Sequence, residues 1–87
     1  MNSIYKYGVE ISSEFVIEMP VGAKVLDVQC QGGTPQLWAI VDKGVKDVEK
    51  RSFSVVGTGH EFNANGKHFI GTFQMERGTF IGHLFEN

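Results

Sequence analysis

The residues best suited to chemistry are Gly57, Thr58, Gly59 and His60. Two glycines one residue apart let the backbone reach conformations closed to other residues. Amides in such a stretch can converge into a concavity that attracts anions. Thr58 adds a hydroxyl and His60 a titratable ring. The four residues therefore read as a seat for phosphate or ribose oxygens. The reading that competes with it, and that a Gly-Thr-Gly triplet favours, is a strand-ending turn in which Gly59 takes a positive φ. A strand-like run, Phe53-Ser54-Val55-Val56, precedes them and no helical pattern follows. That excludes a dinucleotide fingerprint, which must open a helix after a parallel strand. It is not a P-loop either, because no Lys-Ser/Thr pair follows the glycines.

Three further residues complete the expected ligand set. Trp38, the single tryptophan, offers an indole on which a purine can stack, a contact worth about 1–3 kcal/mol. Its apolar neighbours favour the other reading, a core or interface residue. Tyr7, on one strand face with Tyr5, is a rival stacking platform or the rim of the core. Arg51 suits a bidentate phosphate contact better than a lysine does. It stands at the opposite end of the strand that leads to Gly57, so it reaches a shared phosphate only across a subunit boundary or from a neighbouring strand. The other basic residues, Lys6, Lys24, Lys67 and Arg77, are scattered and read mostly as solvated surface.

Catalysis and metal binding find little in the residue pattern. There is no Gly-x-Ser-x-Gly elbow, no Cys-His signature and no His-x-Thr phosphoesterase motif. The spacing of His60, His68 and His83 fits no helical zinc motif. His68 and His83 are expected as cross-strand neighbours in the last hairpin, without matched Asp or Cys companions. Cys30 shares an apolar strand face and reads as an inert thiol. No catalytic residue, metal or cofactor is expected.

Strands must position these residues. Glycine, 11 of 87 residues, punctuates runs of aromatic and β-branched side chains. The runs are Ile4 to Ile11, Glu14 to Met19, Lys24 to Gln31, Gln36 to Val41, Arg51 to Val56, His68 to Glu76 and Thr79 to Phe85. Period two puts Leu26, Val28 and Cys30 on one face of the third. The fourth, nearly all apolar, reads as a central strand covered on both faces. Asp42 to Lys50 and Glu61 to Lys67 read as surface loops. Gly32-Gly33 and Arg77-Gly78 supply turns. The expected fold is mainly β, a single domain over residues 1–87. It is a small antiparallel sandwich or partly open barrel of about seven strands.

Composition narrows the function classes. Eight Lys+Arg against ten Asp+Glu give a net charge of -2. That disfavours coating of long nucleic acid and, being mild, counts a little against nucleic-acid mimicry. One cysteine excludes an intrachain disulfide. No signal-peptide pattern and no membrane-length apolar run is visible. A chain this short has a thin core and strand edges, so a homo-oligomer is expected.

A longer pattern runs through the chain. It begins Ile4-Tyr5-Lys6-Tyr7 and continues Ile17-Glu18-Met19-Pro20-Val21-Gly22-Ala23-Lys24-Val25-Leu26, then Val28-Gln29. Pro35-Gln36-Leu37-Trp38-Ala39-Ile40-Val41-Asp42 and Gly57-Thr58-Gly59-His60 follow. Phe69-Ile70-Gly71-Thr72-Phe73-Gln74 and His83-Leu84-Phe85-Glu86 close it. In this the chain resembles a family of short proteins encoded by tailed bacteriophages and prophages. Small phage proteins of this size are often counter-defence factors. The resemblance implies a cytoplasmic protein of the infected bacterium. By analogy it would be an anti-CBASS-type sponge that sequesters a cyclic nucleotide signal without hydrolysing it. Two alternatives stand beside it: a protein-binding inhibitor of a defence complex, as anti-CRISPR proteins are, and a small phage structural accessory.

Overall fold

Alternating apolar and polar residues produce seven strands in the computed structural model, which describes residues 1–87. They are β1 Asn2–Gly8, β2 Phe15–Pro20, β3 Lys24–Gln31, β4 Thr34–Asp42, β5 Val48–Gly57, β6 His68–Met75 and β7 Phe80–Glu86. The strands form a three-stranded sheet, β1-β4-β3, and a four-stranded sheet, β2-β5-β7-β6. Every pairing is antiparallel. The two sheets stack without closing into a barrel, so the fold is a small sandwich.

The core is the set of side chains that alternation sends inward. Leu37, Ala39 and Val41 of β4 and Val28 of β3 face Phe53 and Val55 of β5 and Leu84 of β7. Phe73 of β6 and Phe15 and Met19 of β2 complete it. Phe15 and Phe53 stack with ring centroids 5.7 Å apart. One side of the sandwich is sealed where β3 lies along β6. There Gly71 lets the strands touch, since a Cβ on it would stand 2.9 Å from Val28 Cγ1. Cys30 is half-buried, and its thiol donates to the Gln74 carbonyl at 2.9 Å across the same seam.

Several expectations change at the strand level. β1 stops at Gly8, and Ile11 lies beyond it, 50% exposed. The loop after β4 is shorter than expected, because β5 begins at Val48, opposite Pro20 of β2. β3 carries a bulge between Val25 and Asp27, so Leu26 leaves the face of Val28 and Cys30 and turns to solvent. β4 is central but buried on one face only. Its outward residues Gln36, Trp38 and Ile40 are half-exposed, because no third layer covers them. The last hairpin turns between Met75 and Phe80, which pairs His83 with Thr72 and, beyond a bulge between Phe69 and Gly71, His68 with Glu86. The two histidines are therefore not cross-strand neighbours.

Candidate functional site

Gly57 to His60 is a four-residue turn at the end of β5. The His60 amide donates to the Gly57 carbonyl at 3.1 Å, and Gly59 holds φ +88°. The Thr58 amide donates to the Ile81 carbonyl at 3.2 Å, carrying the β5–β7 ladder one residue further. The amides of Thr58 and His60 thus serve the fold, which takes two donors from the expected amide cradle. What the turn offers a ligand is side chains.

Thr58 heads a line of side chains that runs on over β7 to β6. Thr58 Oγ1 lies 2.8 Å from His83 Nε2, and Thr72 Oγ1 lies 2.9 Å from His83 Nδ1. Which of these hydroxyls donates to the ring and which accepts from it depends on the tautomer of the imidazole. β7 places His83 outward because Gly82 and Leu84 point into the core. The register then sets it opposite Thr72 of β6.

Aromatic rings flank this line. Phe85, two residues beyond His83 on the same face, lies 5.3 Å from Phe62 and 5.5 Å from Phe69, centroid to centroid. Phe62 belongs to the loop that folds back from His60 over β5 and β7. Lys67 pins that loop by donating to Ser54 Oγ at 2.9 Å and to Asn87 Oδ1 at 2.5 Å.

Open hollows converge on His60. One of about 310 Å³ lies between Val56, Gly57, Thr58, Gly59, His60, Phe62, His83 and Phe85. Another of about 290 Å³ runs between Gly57, Thr58 and His60 and the Gly78–Ile81 segment. Smaller ones reach Lys67 and Glu61 on one side and Ser12 and Phe80 on the other. All four of the residues expected to form the turn site therefore meet at one corner.

The other three lie elsewhere. Arg51 sits six residues before Gly57 on β5, bound to Glu86 at 2.6 and 2.9 Å and to the Ala23 carbonyl at 2.6 Å. The Glu86 carboxylate raises its pKa, so the guanidinium is a fixed charge in a structural pair. Trp38 is on the outer face of the opposite sheet, where it borders a hollow of about 370 Å³ with Ile4, Leu26, Asp27 and Gln29. Tyr7 faces inward on β1, and burial, with Tyr5 beside it, pushes its phenol pKa up. The structure thus brings together Gly57, Thr58, Gly59 and His60 and leaves Arg51, Trp38 and Tyr7 apart. In their place stand His83, Thr72, Phe62 and Phe85. Period two in the last hairpin already set His83 and Phe85 on the face opposite Gly82 and Leu84. Phe62 carries no such signal, since it lies in a loop. No three His, Cys, Asp or Glu side chains gather in a metal-ligating group.

The whole chain, residues 1–87, matches the model of a family described as a domain of unknown function, DUF7352. The chain belongs to that family. No curated protein and no solved structure gives a significant match to this DUF7352 protein. The fold contains no helix long and apolar enough to cross a membrane.

Proposed function

We propose that this protein is a non-catalytic binding module that takes a small, nucleotide-like ligand at the corner around His60. The carrying observation is a single hollow that joins an aromatic wall, Phe62 and Phe85, to Thr58, His60 and His83. A nucleobase needs such a pairing: a π-face for stacking and a few polar groups for its edge or for ribose. Lys67 supplies a positive charge, lining the adjoining hollow. The resemblance to phage proteins extends this reading. In the infected bacterium's cytoplasm the protein would sequester a cyclic nucleotide immune signal and release it unaltered. The Thr58–His83 pair supports binding over turnover, because the Thr72 hydroxyl, not a carboxylate, stands behind the imidazole.

The test is a calorimetric titration with cyclic di- and trinucleotides and cyclic ADP-ribose isomers, followed by chromatography of the released ligand. One of these ligands is expected to bind and to return intact. Phe62→Ala should then weaken affinity by roughly tenfold, the loss of about 1.4 kcal/mol of stacking, while Trp38→Ala leaves it unchanged. Absence of binding across the panel, or product turnover, overturns the reading. Phe69, 60% exposed beside the same wall, favours the second reading, a protein-binding inhibitor of a defence complex. That reading predicts a protein partner whose capture is lost in Phe69→Ala.

A further inference from the structure

The sandwich has four strand edges, and three of them are blunted. β2 is short, ends in Pro20, which has no amide to donate, and carries Glu18. β3 and β6 each contain a bulge and lie against one another, with Cys30 bound to the Gln74 carbonyl between them. The fourth edge, β1, has none of these features. Its register with β4 is unbroken from Asn2↔Asp42 to Gly8↔Gln36.

The direction of its free backbone groups follows from the hydrogen bonds at its two ends. The Lys43 amide donates to the Met1 carbonyl at 2.9 Å, and the Val9 amide donates to the Pro35 carbonyl at 3.1 Å. Antiparallel bonding alternates with period two, so Ser3, Tyr5 and Tyr7 also turn their backbone toward β4. Asn2, Ile4, Lys6 and Gly8 must then present their amides and carbonyls to the open side. The one charge on this strand does not guard the edge. Lys6 Nζ reaches back over its own sheet and donates to Gln31 Oε1 at 2.7 Å. Large apolar groups remain exposed on both faces of the edge, Ile4 at 58% and Tyr5 at 41%.

We infer that β1 is an interface for a second copy of this chain. Two β1 strands pair antiparallel about a two-fold axis through Tyr5. This register makes a hydrogen-bonded pair of each outward-facing residue: Ile4 with Lys6 of the partner subunit, and Asn2 with Gly8 of the partner subunit. It brings the two Tyr5 side chains together as a non-bonded pair, the closer kind. It also sets Lys6 against an isoleucine, so no like charges stand directly opposite. A heterologous strand could share the bonding pattern, but a second β1 has the same length as this edge and sets its exposed Ile4 and Tyr5 against groups of this chain without opposing like charges. The result is a continuous six-stranded sheet, β3-β4-β1 doubled, with the hollows around His60 left open. The inference does not rest on the ligand reading.

The test combines light scattering with hydrogen exchange. The wild-type chain should have about twice the 9.7 kDa mass of one copy. Ile4→Pro removes an amide that faces the open edge, not β4, and is expected to give a folded monomer. In the wild type, the Ile4 and Lys6 amides should exchange at least about tenfold more slowly at high than at low protein concentration. Exchange serves as the deciding measurement should Ile4→Pro fail to fold. A wild-type monomer, a folded Ile4→Pro dimer, or Ile4 and Lys6 amides that exchange at one rate at all concentrations would overturn the inference.

Discussion

Gly57 is the residue at which the fold and the candidate site meet. A Cβ there would stand 3.0 Å from His60 Nδ1 and 3.4 Å from Phe80 Cε1. His60 is exposed and can swing away, so Gly57→Ala should cost under about 1 kcal/mol while displacing the imidazole. A shift of the His60 ring resonances with little change in melting temperature checks this. Gly82 differs, because its Cβ would fall 2.5 Å from Cζ of the buried Phe73 ring. Gly82→Ala should cost about 1–3 kcal/mol in a denaturant titration, since a packed core yields poorly. Arg51 is the third case. Its guanidinium is held by Glu86 and the Ala23 carbonyl, and the side chain is only 16% exposed. Arg51→Ala should therefore remove about 2 kcal/mol of stability by stranding Glu86. Ligand affinity at the His60 corner should not change, and a calorimetric titration of the folded variant would show it.

At the scale of the element, the bulge in β3 has the clearest consequence. It turns Leu26 outward, 41% exposed, and keeps Val28 inside at 1%. Leu26→Ser should shift stability by no more than about 0.5 kcal/mol. Val28→Ala should cost about 1–2 kcal/mol through the cavity it leaves. Equal losses in the two variants would mean that the register is wrong. The turn after β4 is governed by Asp42. Its carboxylate accepts from the Gly44 amide at 2.9 Å, and the Met1 ammonium lies 3.6 Å away. Both hold its pKa below the ordinary 3.8, the Gly44 bond most strongly. A carboxyl depressed in the folded state contributes stability that is full above its unfolded pKa, near 3.8, and lost as pH falls through the folded value. Asp42→Asn should therefore lose less melting temperature than the wild type between about pH 6 and about pH 2.

The whole molecule is a thin slab, 41 × 31 × 15 Å between its backbone extremes. Two layers leave every strand with one wet face. That explains why large apolar groups such as Phe69 and Ile4 stand in solvent and why the surface carries shallow hollows, not a deep pocket. Stability should be graded across the slab. Amides of β4, β5 and β7, which are paired on both sides, are expected to exchange slowest, and those of edge strand β2 fastest among the strands. Slow exchange in β2 at low protein concentration would contradict the order of the sheets.

Seven strands, a mainly β sandwich and the turn at Gly57–His60 were legible in the residues themselves. The alternation of Phe15, Ile17 and Met19, and the glycine punctuation, depend only on local backbone geometry. Three features depended on partners distant in the chain. The bulges at Leu26 and Ile70 arise where β3 and β6 must follow β4 and β7, so a strict period of two misplaced Leu26, while the register from the Met75–Phe80 turn sets Thr72, not His68, opposite His83. The start of β5 at Val48 is set by β2, since a polar stretch becomes a strand when another strand supplies its hydrogen bonds. The composition of the candidate site is likewise tertiary. Thr58, Thr72 and His83 share one line only because β5, β7 and β6 are neighbours in the sheet. Arg51 is drawn to Glu86 by that same strand order. Local periodicity determines which residues face in or out, but which outward faces stand side by side is decided by sheet order, and sheet order is settled by burial of the whole core.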